Sequence, residues 1–128
     1  MGRVVHFEIH AEDPARARIF YEKVFEWEIT QWQGEEYWLI TTGKDSEKGI
    51  NGGIVKRLGN APTFDNPVSA YVCTVDVGDI DGATKKVVEA GGNVVVDKRE
   101  IAGTGWLCYC KDTEGNIFGL MQTAQATT

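Results

Sequence analysis

Two stretches of this chain repeat each other at a fixed distance. "GINGGIVK" (49–56) and "GNIFGLMQ" (115–122) agree in length and apolar parity, and Gly53 falls on Gly119, 66 residues further on. "VVHFEIH" from Val4 lies in the same way over "VSAYVCT" from Val68, which sets His6 on Ala70. Identity between the halves is low; what repeats is the order and spacing of elements. Such a repeat constrains the fold strongly, because each copy must bury its apolar faces in the same manner.

Each half reads as a strand, a helix and three strands. The first strand covers about 3–10. Asp13 then supplies an N-cap and Pro14 the first helical position. Ala17, Phe20, Tyr21, Val24 and Phe25 recur with the spacing of an apolar helix stripe. Strands follow at 27–32, 36–43 and 50–57. "LGNAPTFDN" (58–66), with its glycine, proline and two asparagines, reads as a linker. The second half gives a strand at 68–77 and a helix at about 79–90, with Ile80, Ala83, Val87 and Ala90 on one face and Gly91–Gly92 ending it. Strands at 93–100, 104–112 and 116–122 close it, the last two joined by the turn signal "DTEG". The expectation is an α+β protein: one domain, 1–128, of two βαβββ modules, 1–57 and 67–122, joined by linker 58–66.

Composition narrows the function classes. Net charge is −6, without a basic cluster, which argues against a nucleic-acid partner. No apolar run approaches the ~18 residues of a membrane span. The first ten residues lack the apolar stretch of a signal peptide, so a cytoplasmic protein without membrane partner is expected. Cys73, Cys108 and Cys110 lie in strand-like runs and read as small buried hydrophobes. Cys108-x-Cys110 also falls short of the usual zinc ligand spacing.

The chemistry-bearing stretch is "HFEIH". On a strand, alternate side chains share a face, so His6, Glu8 and His10 point one way and Phe7 and Ile9 the other. The polar face reads as a metal site, as an acid/base site, or as the polar lining of a hollow. An unperturbed imidazole titrates near pH ~6.5 and can move a proton either way.

The order βαβββ–βαβββ, the opening "VVHFEIHAEDPARARIFYEKVFEWEI" and the ending "KDTEGNIFGLMQ" resemble the vicinal oxygen chelate superfamily. That superfamily includes glyoxalase I, extradiol dioxygenases, bleomycin-resistance proteins and fosfomycin-resistance enzymes. Its common ending has a proline where Thr113 stands here. The resemblance implies a curved mixed sheet enclosing a ligand cup, and a homodimer. In metal-dependent members four ligands come from the first and last strands of the modules. Carried over, those positions fall on His6, Gly53, Ala70 and Gly119. Only His6 offers a donor, whereas a catalytic zinc site ordinarily needs three protein ligands. Glyoxalase I activity and extradiol cleavage are therefore not expected, and no cofactor is expected. His6 and Glu8 are the residual candidates for a non-standard divalent metal site.

Strand parity assigns the rest of the cup. His6, Glu8 and His10 come from the first strand, and Asn51, Gly53 and Val55 from the fourth. Ala70, Val72 and Thr74 come from the fifth, and Ile117, Gly119 and Met121 from the last. The cup is expected to be polar on the first-module side and apolar on the second, with Gly53 and Gly119 leaving space rather than charge. Such a cup suits a small hydrophobic or cationic organic molecule. The tryptophans read either as core or as an aromatic ligand wall. Two functions follow: a metal-free binding protein like the drug-sequestering branch, or a lyase- or dioxygenase-like enzyme using His6, Glu8 or His10.

Overall fold

A computed structural model describes residues 2–65 and 71–124 of the chain. The position of Ala70 lies outside the described residues. The elements are β1 (Arg3–Ala11), α1 (Pro14–Phe25), β2 (Glu28–Gln31), β3 (Tyr37–Thr41), β4 (Gly52–Lys56), β5 (Val72–Asp76), α2 (Ile80–Glu89), β6 (Asn93–Ile101), β7 (Gly105–Lys111) and β8 (Ile117–Thr123). The protein is α+β, and the βαβββ order occurs twice.

Contacts divide the chain into two compact units, His6–Tyr71 and a second made of the chain's first five residues with everything from Val72 onward. In the His6–Tyr71 unit the strand order is β2-β3-β4-β1. β1 runs parallel to β4, with Glu8 opposite Gly53, and β3 runs antiparallel to β4. Phe7, Ile9, Ala11, Ile29, Ile40 and Ile54 form its buried core. Phe7 and Ile9 thus take the buried apolar face of β1, as alternation requires.

Local signals place α1. The Asp13 carboxylate accepts the Arg16 backbone N–H at 3.2 Å, and Pro14 opens the first turn. The expected stripe is only partly used. Ala17 and Tyr21 pack against the core, whereas Phe20, Val24 and Phe25 remain more than half exposed. The aromatic rings instead cover one another: Tyr21 lies parallel to Trp27 at 5.3 Å and meets Phe20 edge-on at 5.1 Å.

In the other unit the order is β5-β8-β7-β6, with β5 parallel to β8 and Thr74 opposite Gly119. α2 is capped by the Asp79 carboxylate, which accepts from the Gly82 N–H at 3.1 Å. Ile80, Cys108, Cys110 and Leu120 form a core cluster joined by Val87 and Trp106, and Val72, Leu107 and Tyr109 form another. Burial pushes the Cys108 thiol up to about 12, the neighbouring Cys110 adding to it, so this pair is unreactive packing.

The two parallel registers correct the overlay of the halves. Glu8 opposite Gly53 corresponds to Thr74 opposite Gly119, so β1 lies over β5 at the same 66-residue distance as β4 over β8. His6 therefore corresponds to Val72, not to Ala70. A slip of two keeps every side chain on its face, so the parity of the expected sites survives the change.

Candidate functional site

The polar face of β1 divides into two places. Glu8 is buried, at 4% exposure, in the middle of the strand. His6, one pleat earlier, is half-buried, and its Nε2 lies 2.7 Å from the Tyr37 hydroxyl. Glu8 is itself a hydrogen-bond partner and negative neighbour of that hydroxyl. The phenol has one proton. Donated to Glu8, it leaves an oxygen lone pair facing His6, so His6 Nε2 must carry its own proton and donate. A chain results: imidazole to phenol to carboxylate.

Tyr37 reaches this position because Gly53 lets it. A side chain on Gly53 would run into the Tyr37 ring and hydroxyl. Gly53 was expected to leave open space; a phenol fills it. Gly119 is covered in the same manner, with Thr74 Oγ at 3.2 Å and the Tyr109 ring at 3.4 Å from where its Cβ would stand. In both units a tyrosine from the third strand lies over the glycine of the fourth. Tyr37 gives no signal in the sequence, where it reads as one more aromatic in a β-strand.

His10 belongs elsewhere. Its Nδ1 accepts the Leu58 backbone N–H at 3.3 Å, and Arg57 is its charged neighbour. Val55 stands opposite both His10 and Tyr37 in the strand ladder. Asn51 lies just before β4 and closes the 42–51 loop, its Oδ1 accepting from the Thr42 N–H at 2.9 Å. In the other unit Val72, Ile117 and Met121 are packed around Tyr109 and Leu107, and Thr74 is buried. Trp27, Trp38 and Trp106 all join apolar core clusters.

Burial holds both imidazoles below their ordinary range, opposed by Glu8 in each case and reinforced at His10 by Arg57. It pushes the Tyr37 phenol well above its ordinary range, assisted by Glu8, so the phenol stays protonated. The linkage has a definite sign. An unfolded histidine takes a proton as pH falls through ~6.5, while the folded one resists until its lower value. Stability is therefore expected to fall between pH ~7 and pH ~5. Urea midpoints across that range check it, and the slope should shrink in His6→Asn.

The residues do not fit a divalent metal. Gly53 and Gly119 offer no donor, their space is taken by Tyr37 and Tyr109, and His6 Nε2 is turned to the phenol. Among the described residues no three His, Cys, Asp or Glu side chains gather to hold an ion.

Comparison with known proteins agrees with this architecture. Residues 3–43 match the family model described as bleomycin resistance protein-like N-terminal. Methylmalonyl-CoA epimerase from Mycobacterium tuberculosis superposes with a TM-score of 0.65 at 13% identity, over 95% of this chain and 88% of that one. A Streptomyces coelicolor methylmalonyl-CoA epimerase variant in complex with 2-nitronate-propionyl-CoA gives 0.65 at 15% identity, over 96% and 98%. A hypothetical protein from Bacillus halodurans C-125 gives 0.63 at 9% identity, over 99% and 98%. No curated protein matches the chain by sequence. The chain has the glyoxalase-like fold of these neighbours, and its opening, residues 3–43, is similar to the bleomycin resistance protein-like N-terminal family. No helix among the described residues is long and apolar enough to cross a membrane.

Proposed function

We propose that this protein binds a small organic molecule, uncharged or cationic, without a metal ion, against the polar face of β1. The observation that carries this reading is the Tyr37 hydroxyl seated over Gly53 between His6 and Glu8, where a metal-dependent relative would need a donor. A neutral imidazole, a protonated phenol and a carboxylate favour a ligand that donates hydrogen bonds or carries positive charge. The homodimer belongs to the same reading.

Two titrations test it. Zinc or nickel, followed by calorimetry, is expected to give no stoichiometric site that His6→Ala abolishes. Metal-free bleomycin, a cationic glycopeptide, and ethidium, a cationic aromatic, are expected to quench tryptophan fluorescence saturably. Tyr37→Ala should change that affinity several-fold. A stoichiometric metal lost in His6→Ala would overturn the reading, as would no quenching by either compound.

The same hydrogen-bonded chain favours a second reading, acid/base catalysis without metal. The phenol can turn its one proton from Glu8 to a bound substrate and take it back from the product, the His6 Nε2–H holding the phenolate oxygen in between. Tyr37→Phe separates the two: it abolishes turnover if the phenol moves the proton, and only weakens binding if the phenol is a contact.

A further inference from the structure

A cleft of about 480 Å³ lies at the C-terminal end of β1, in the His6–Tyr71 unit and away from Tyr37. Ile9, Ala17, Phe20, Tyr21 and Pro62 give it apolar walls. His10 and Arg57 also line it, and each holds a buried side-chain nitrogen without a hydrogen-bond partner: Nε2 of His10 and Nε of Arg57. Arg57 Nε lies 3.9 Å from a Glu12 carboxylate oxygen, close enough for attraction but too long for a hydrogen bond.

Both orphaned atoms are donors. The Leu58 N–H points at His10 Nδ1, which must therefore offer its lone pair. The proton of the neutral ring then sits on Nε2. Arginine Nε always carries hydrogen. Two N–H groups shielded from water, on two residues that line one cleft, lack an acceptor, and a buried donor left unpaired is a standing cost to the fold.

We infer that this cleft is a second small-molecule site, taking a compact apolar body that carries a carboxylate whose oxygens accept from His10 Nε2 and Arg57 Nε. The volume suits a body of six to ten carbons, within the ~300–1,000 Å³ range of ligand pockets. Glu12 and Asp13 line the same cleft beside Arg16 and Arg57, so the charges cancel in pairs. That balance suits a monoanion and disfavours a phosphate dianion. Both nitrogens are shut off from solvent, so entry requires part of the wall to yield. Ala61 and Pro62, exposed and outside any helix or strand, are the stretch of its lining that no regular element holds. The site is independent of the Tyr37 chain and does not rest on the function proposed above.

Nuclear magnetic resonance with ¹⁵N-labelled full-length protein tests it, using sodium hexanoate, sodium benzoate and, as a cationic control, hexylamine. The two acids are expected to shift the Arg57 Nε–H, the Leu58 amide and the amides of residues 16–21 saturably, and hexylamine is not. Arg57→Met keeps the aliphatic stem and removes the donor. His10→Asn leaves an oxygen near the Nδ1 position for Leu58 and also removes the donor. Each should weaken hexanoate binding on the order of tenfold or more, while Tyr37→Phe leaves it unchanged. The inference is overturned if neither acid gives saturable shifts, if the shifts centre on His6 and Tyr37, if hexylamine binds equally, or if folded variants bind the acids as the parent does. Should the variants fail to fold, the acid-against-amine contrast and the shift map in the parent decide alone.

Discussion

Gly53→Ala is expected to destabilise the fold by about 2–4 kcal/mol, and a prior Tyr37→Ala substitution should remove most of that cost. The added methyl lands on the Tyr37 ring and hydroxyl. Either Tyr37 stays and the strands separate, or it swings away. Swinging away breaks the bond to His6 and leaves buried Glu8 short of a partner it now has. Overpacking of that kind costs roughly 1–3 kcal/mol and an abandoned buried acceptor about as much again. The alanine regains a little, since glycine is a poor strand residue by about 0.5–1 kcal/mol. In the Tyr37→Ala background the obstruction is gone, so the second substitution should be near neutral. Urea denaturation of the parent, both single variants and the double variant measures the coupling. Additivity within about 0.5 kcal/mol would show that Tyr37 does not occupy the space over Gly53.

What could be read from the sequence follows from which forces are local. Alternation in "HFEIH" fixed the faces of β1, and Phe7 and Ile9 are buried under α1 as that pattern requires. Asp13–Pro14 announces the start of α1 through a bond that spans three residues. The lateral register of distant strands has no such local carrier. Low identity between the halves left β1 free to slide over β5 by two, and parity cannot detect an even slip. The site was legible in part. His6 and Glu8 are together, but the residue that joins them, Tyr37, is 31 positions from His6 and arrives by strand pairing. Missing side chains at Gly53 and Gly119 read naturally as space, whereas close packing demands that neighbours fill it. Arg57 was invisible for another reason. It comes beside His10 only through the pairing of β1 with β4, and no neighbour in the sequence announces that.

The second large effect is expected at Gly105→Ala, set against Gly34→Ala. Both glycines have positive φ, 145° and 71°. Gly34 sits in the β2–β3 turn with nothing near its absent Cβ. Alanine there incurs only the left-handed backbone term, roughly 1 kcal/mol. Gly105 begins β7 opposite Thr123, and its Cβ would meet the Gln122 carbonyl and the Ala124 amide nitrogen. Those are backbone atoms of the β8 end, and they cannot turn aside as a side chain can. They are also engaged, since the Ala124 N–H donates to the Thr104 carbonyl at 2.9 Å. Alanine at 105 must therefore pay for an unfavourable φ, about 1–3 kcal/mol, and for prising the β7–β8 ladder apart at its edge. A total of about 3–5 kcal/mol is expected, among the larger effects a single substitution has. Thermal midpoints of the two variants check the contrast. Equal, small shifts would mean that the two strand ends separate freely at Gly105, and the tight approach of Gly105 to Gln122 would then have no energetic weight.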